Sequence, residues 1–214
     1  IKTRENPWIH LFLFWKDPVV LSEKVLLNDL LRIEQVYHEE GYLNARVTDY
    51  RFDYSENSDA VRIEIQIEEG EPALVDSVRF ACMKTDSLPF THEKLQDQIT
   101  LKPERRYRRA GMMTDYHKLT GLFTNAGYPY IEARLRPDIR GQTNRVSLTW
   151  QLNPGPFCRF GPIEIKGNQS VSEAVILRGI DFRERDRFEQ KKLAAAQSQI
   201  YQLEMFQYVN LQAV

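Results

Sequence analysis

The residues best equipped for chemistry in this sequence are four histidines, two cysteines, an acidic run and a basic run. His10, His38, His92 and His117 share none of the spacings that close a metal site, and they read as surface or helix-end residues. Cys82 and Cys158 are too few for a disulfide framework and read as buried thiols. General acid–base work needs a carboxyl whose pKa has been moved by burial or by neighbours. Glu64, Glu68, Glu69 and Glu71 instead fall on the wet side of a strand and in the loop after it. There is no glycine-rich phosphate loop, no nucleophile elbow and no HExxH. Catalytic residues, metal ligands and cofactors are therefore not expected. The basic run is Lys102, Arg105, Arg106, Arg108 and Arg109 around Tyr107. A nucleic-acid reader interleaves basic residues with aromatics on one face. Glu104 inside the run and a net charge of −1 over 214 residues argue against that reading. A solvated loop is favoured, with lipid headgroups or an acidic partner subunit as the alternative contact.

Charged residues make up 28% and the hydrophobic set 42%, ordinary proportions for a globular protein. The longest apolar stretch, Trp8 to Trp15, is far short of the ~20 residues of a membrane helix. It lacks basic residues on a polar face, so packing under a first sheet is favoured over lying in a membrane interface.

What positions these residues is a repeat. Tyr37, Gly41 and Tyr42 lead into Leu43-Asn44-Ala45-Arg46-Val47. The phrase returns as Phe123, Gly127 and Tyr128 before Tyr130-Ile131-Glu132-Ala133-Arg134-Leu135. A third, degraded copy has Tyr201, Met205 and Phe206 before Tyr208-Val209-Asn210-Leu211. Recurrence at near-fixed spacing is the signature of a tandem array. Within each copy the patterns are consistent. Ser22 opens a helix with Leu26, Leu27, Leu30, Leu31, Ile33, Val36 and Tyr37 at three- and four-residue spacing, and Gly41 ends it. Leu43, Ala45 and Val47 alternate with polar residues. Val61, Ile63, Ile65 and Ile67 alternate strictly, as do Val146, Leu148, Trp150 and Leu152. The middle copy opens on Val75, Val78 and Phe80. Thr91 then caps a helix bearing Leu95 and Ile99, and a second helix runs from about Met112 to Gly127. The third opens on Ile163 and Ile165, has capping-box spacing at Ser170 and Glu173, and carries a helix from about Phe188 to Met205. The unit is thus strand, helix, helix, strand, strand. We expect three modules, at 1–73 without a first strand, at 74–156 complete, and at 157–214 stopping before the last strand. Such cuts expose apolar faces, so the array is expected to continue on both sides.

This pattern resembles the polypeptide-transport-associated module, POTRA. The residues that carry the likeness are Asp29, Arg32-Ile33, Tyr37, Gly41-Tyr42 and Ala45-Arg46-Val47. The junctions add to it, with Glu69-Gly70-Glu71-Pro72 before Val78-Arg79-Phe80, and Gly155-Pro156 before Ile163-Glu164-Ile165-Lys166-Gly167-Asn168. Met205 in place of glycine and the added Pro129-Tyr130 depart from it. The resemblance implies an α+β fold of tandem βααββ modules, each a three-stranded mixed sheet packed against two helices. It also implies a role like that of BamA-like barrel-assembly factors and their TamA-like relatives. That role is a non-catalytic scaffold on the periplasmic side of the bacterial outer membrane. Its implied partners are unfolded outer-membrane β-barrel proteins, accessory assembly lipoproteins and a C-terminal membrane barrel of its own. The POTRA region of a two-partner secretion transporter or a chloroplast import channel is the alternative.

A small sheet has two edges, and an edge strand offers a row of main-chain donors and acceptors to an extended client. The strictly alternating strands are expected to be central. The less regular ones, Leu43 to Tyr50 and Tyr130 to Ile139, are the expected edges. Candidate protein-binding residues are Leu43, Ala45, Arg46, Val47 and Asp49 in one copy, and Tyr130, Ile131, Ala133, Arg134 and Leu135 in the other. Charges and proline also protect edges in ordinary proteins, so each strand reads either as a receptor or as a guarded edge.

Overall fold

The computed structural model describes residues 23–54, 61–83, 88–140, 143–168 and 171–202. The expected helix at Trp8–Trp15, the caps at Ser22 and Ser170, Met205 and the strand from Tyr208 lie outside those residues. Among the described residues no helix is long and apolar enough to cross a membrane.

The order begins α1 (Glu23–Glu39), β1 (Arg46–Tyr54) and β2 (Val61–Glu68). It continues with β3 (Leu74–Cys82), α2 (His92–Gln98), α3 (Arg109–Thr124), β4 (Glu132–Arg140) and β5 (Arg145–Asn153). The last two elements are α4 (Glu173–Leu177) and α5 (Gln190–Tyr201). Two sheets form, β1-β2 and β3-β5-β4. The chain divides into two compact units. One comprises residues 1–76, 103–111 and 139–146, the other residues 77–102, 112–138 and 147–214.

In the first unit, α1 buries Leu26, Asp29 and Leu30, while Leu27, Leu31 and Val36 remain exposed. The helix closes as its glycine predicts. Gly41 takes φ +93°, its N–H donates to the His38 carbonyl and the N–H of Tyr42 reaches Tyr37. Those bonds satisfy carbonyls that a helix end leaves open. β1 pairs antiparallel with β2, with Val47 opposite Ile67 and Tyr50 opposite Ile65. Thr48 is the extra residue of a bulge between them. The bulge keeps Val47, Tyr50 and Phe52 on the face of the β2 isoleucines although their spacing is three and then two.

In the middle repeat the sheet is mixed. Leu74 donates to Asn144 at one end and Met83 to Leu152 at the other, so β3 runs parallel to β5. β5 is the central strand, as its alternation predicts, and β4 is an edge. Val146, Leu148, Trp150 and Leu152 are fully buried on one face of β5. In the second unit Leu95, Ile99, Leu119 and Phe123 are buried from the helices. Thr91 caps α2 by accepting the Lys94 N–H. The carboxylate of Asp115 is completely buried. It accepts the N–H and hydroxyl of Thr100 and the N–H of Leu101 at 2.6–2.9 Å, fixing the turn between α2 and α3.

In the third repeat Phe160, Phe182 and Phe188 pack with Ala196, and Phe160 and Phe182 stack 3.8 Å apart. Residues 161–166 do not form the strand expected at Ile163 and Ile165. β3 gains its ladder from β5, and no counterpart of β5 occurs among the described residues of this repeat. The cap of α4 is Ser172 rather than the Ser170 of the expected capping box. It makes no side-chain bond to the helix, and Glu173 is the first helical residue rather than the third.

Candidate functional site

The two repeat joints share one set of main-chain bonds. In the first, the Ala73 N–H donates to Gly41, Tyr107 to Ala73, Val75 to Arg105 and Glu104 to Val75. In the second, Cys158 donates to Gly127, Phe188 to Cys158, Phe160 to Asp186 and Arg185 to Phe160. Glu104 and Arg185 hold matching positive φ values of 64° and 69°. The basic run forms part of the first joint while remaining a largely solvated loop, with Lys102, Arg105, Arg108 and Arg109 exposed. The Arg106 guanidinium stacks over Tyr42, 4.2 Å from the ring centre, Arg108 pairs with Glu40, and Arg109 pairs with Glu39. Two acids at the end of α1 meet these arginines, a relation invisible in local charge patterning. The Tyr37 hydroxyl donates to Glu69, which holds its pKa above the ordinary tyrosine value.

No constellation for catalysis assembles among the described residues. A groove of about 370 Å³ between α1 and β1 is lined by Leu27, Leu30, Leu31, Glu34, Val47, Thr48, Asp49 and Tyr50. Its two carboxylates are already engaged by backbone donors. His38 caps the Ala45 carbonyl, His92 packs edge-on against Phe80, and His117 lies on the exposed side of α3. Cys82 and Cys158 are half-buried rather than buried, and neither is in a disulfide.

The two candidate edges differ. Leu43 lies in a turn and Ala45 just before β1, because the Ala45 N–H folds back to the Tyr42 carbonyl. Ala45 is buried. Arg46 is bound to Glu68 across the strand pair. The Val47 N–H is occupied by the Glu34 carboxylate at 2.7 Å, and the Tyr50 N–H by Asp49 at 2.9 Å. Asp49 also pairs with Arg51. Side chains thus cover two main-chain donors of β1. On the other edge Tyr130 sits in a turn and Ile131 just before β4, whereas Ala133, Arg134 and Leu135 are within it. Arg134 pairs with Glu132 on the exposed face, and Ala133 and Leu135 are half-buried on the other. Among the described residues no side chain caps a β4 N–H. Sequence reasoning missed the Glu34 cap, which joins positions 13 apart. The bulge had a signal in the change of spacing at Val47, Tyr50 and Phe52.

The family model described as "POTRA: Surface antigen variable number repeat" matches residues 10–70 and 158–213, more than half of the chain. The chain belongs to the POTRA family. The middle repeat, which carries the complete βααββ order, falls between the two matched POTRA stretches. The chain is similar to the outer membrane protein assembly factor BamA of Neisseria meningitidis, 24% identical over 90% of this chain and 24% of that protein. It is similar also to BamA of Nitratidesulfovibrio vulgaris, 23% identical over 91% of this chain and 24% of that one. It thus spans about a quarter of the length of these relatives. The crystal structure of POTRA domains 3–5 of Haemophilus influenzae BamA shares its fold, with a TM-score of 0.59 at 16% identity. That likeness covers 92% of this chain and 79% of the other.

Proposed function

We propose that this POTRA array is a non-catalytic periplasmic scaffold in outer-membrane protein assembly, and that it holds unfolded β-barrel proteins by strand addition at β4. The bare edge of β4, set against the side-chain-capped edge of β1, is the observation that carries this reading. A main-chain interface recognises extended clients with little demand on their sequence, which suits a receptor for many barrel proteins. The similarity to BamA proteins supports the pathway. In this reading the three modules lie at 1–73, 74–156 and 157–214 and precede a C-terminal membrane barrel, and other faces dock accessory assembly lipoproteins.

The test uses the full-length protein in cells. A photocrosslinking residue at Arg134 or Arg136 is expected to capture a nascent barrel protein, and one at Gly121 on α3 is not. Ala133→Pro, which deletes a main-chain donor, is expected to reduce capture several-fold while folding is retained. Equal capture at β4 and at Gly121 would rule out the assignment.

A further inference from the structure

The main-chain parity of β4 can be read from its neighbours. The Leu152 carbonyl accepts the Met83 N–H, so the even-numbered residues of β5 direct their main-chain groups toward β3. The odd-numbered residues of β5 therefore serve β4. The even-numbered residues Val146, Leu148, Trp150 and Leu152 also carry the buried face of β5. On β4 the half-buried face belongs to Ala133 and Leu135, and the exposed face to Glu132, Arg134, Arg136 and Asp138. Directly opposite residues of an antiparallel hairpin share a face and share a bonding type. Ala133 and Leu135 thus stand opposite β5 residues that bond to β3. Their own N–H and C=O groups face outward, while Arg134 and Arg136 hold β4 to β5.

Pro137 falls on the outward series, between Leu135 and Ile139. A proline has a carbonyl but no N–H, and on a sheet it is tolerated where the missing donor faces solvent. The outward edge therefore reads donor at Ala133, donor at Leu135, gap at Pro137, donor again at Ile139. β4 stays a strand across the gap.

Building on the strand-addition reading, we infer that Pro137 is a register stop. A client strand pairs with Ala133 and Leu135 and ends before Ile139. The two faces of β4 also define the occupant. It is an extended segment of alternating apolar and polar residues, its apolar side chains beside Ala133 and Leu135 and its polar ones beside Glu132, Arg134, Arg136 and Asp138. Strands of outer-membrane barrels alternate in this way over about 10 residues, longer than the edge on the near side of the proline.

Amide hydrogen exchange of the 214-residue chain tests this, with a synthetic peptide of about 10 alternating apolar and polar residues as probe. Without peptide, Arg134 and Arg136 exchange slowly and Ala133, Leu135 and Ile139 fast. Saturating peptide slows Ala133 and Leu135 at least about tenfold and leaves Ile139 unchanged. In Pro137→Ala the new amide and that of Ile139 join the protected set, and the peptide binds about 30-fold tighter, about fivefold for each of the two added hydrogen bonds. Peptide protection of Ile139 in the unsubstituted chain would remove the register stop and leave strand addition standing. Protection at Arg134 and Arg136 instead would overturn the parity. No response at any β4 amide would sink strand addition itself, and protection that grows with protein concentration alone would give the edge to a second copy of the chain.

Discussion

A side chain on Gly41 would collide with the carbonyl oxygen of Tyr107. The residue is also held at φ +93°, where an L side chain is strained. Gly41→Ala is expected to destabilise the first unit by about 2 to 4 kcal/mol, adding left-handed strain to overpacking against backbone. Gly121 in the interior of α3 is the control, since a Cβ there meets nothing within 4 Å. Gly121→Ala should stabilise by about 0.5 to 1 kcal/mol. Urea unfolding of the two variants should shift in opposite directions.

Asp115 is expected to be among the least replaceable polar residues. Asp115→Ala takes the acceptor from the Thr100 amide and strands the buried Leu101 amide, a loss of about 3 kcal/mol. Asp115→Asn keeps the shape but turns a donor toward donors, so it should recover only part of that loss. Thermal unfolding followed by near-ultraviolet circular dichroism, which reads Trp150 and its aromatic neighbours, measures both.

Glu34 is expected to guard the β1 edge. In Glu34→Ala the Val47 amide should exchange about tenfold faster at a stability cost near 1 kcal/mol. Photocrosslinking residues on β1 should then begin to capture clients. Glu34→Gln retains an acceptor oxygen and should leave both properties nearly unchanged. No gain of capture in Glu34→Ala would mean that something other than this carboxylate closes the edge.

The joint between the first two repeats should respond unequally to its arginines. Arg108 and Arg109 meet their glutamates in exposed pairs, so substituting either is expected to cost under about 1 kcal/mol and less in high salt. Arg106→Ala removes a guanidinium packed on Tyr42 and should cost more, with little salt dependence. Urea titrations at low and high ionic strength separate the two kinds of contact.

Glu189 supplies a pH dependence. Lys191 and then Arg187 bond its carboxylate and hold its pKa below the ordinary value near 4.5. A depressed folded-state value means that its stabilisation is fully present above about pH 4.5 and is lost as pH falls through the lowered value. Glu189→Gln should flatten that part of the acid limb by lowering stability at neutral pH, and leave stability below the lowered value almost as it was. Denaturant titrations between about pH 6 and pH 3 check the slope.

The parts of the fold written in short-range pattern were legible. Gly41 and Gly127 marked helix ends because only glycine accepts their backbone, and the alternation from Val146 to Leu152 marked the central strand. What escaped was set by distant partners. Leu43 and Tyr130 continue an alternating pattern on paper, yet each falls in a turn, because the chain must first leave the glycine cap. Ile163 has the pattern of a strand but meets no ladder among the described residues. The arginines after Lys102 are exposed as read, but their partners escaped, because the acids lie about 70 residues earlier. The edge candidates show the same limit, since nothing near Val47 in sequence reveals that Glu34 covers its amide.

The repeated joint has a consequence for how such an array can change length. Its four recurring bonds run between main-chain groups, and the side chains at matching points differ, Ala73 against Cys158 and Tyr107 against Phe188. A whole repeat can therefore be duplicated or deleted and the new neighbours will still find the donors and acceptors they need. The connector is inherited with the backbone, which leaves the exposed faces of each copy to diverge toward separate tasks.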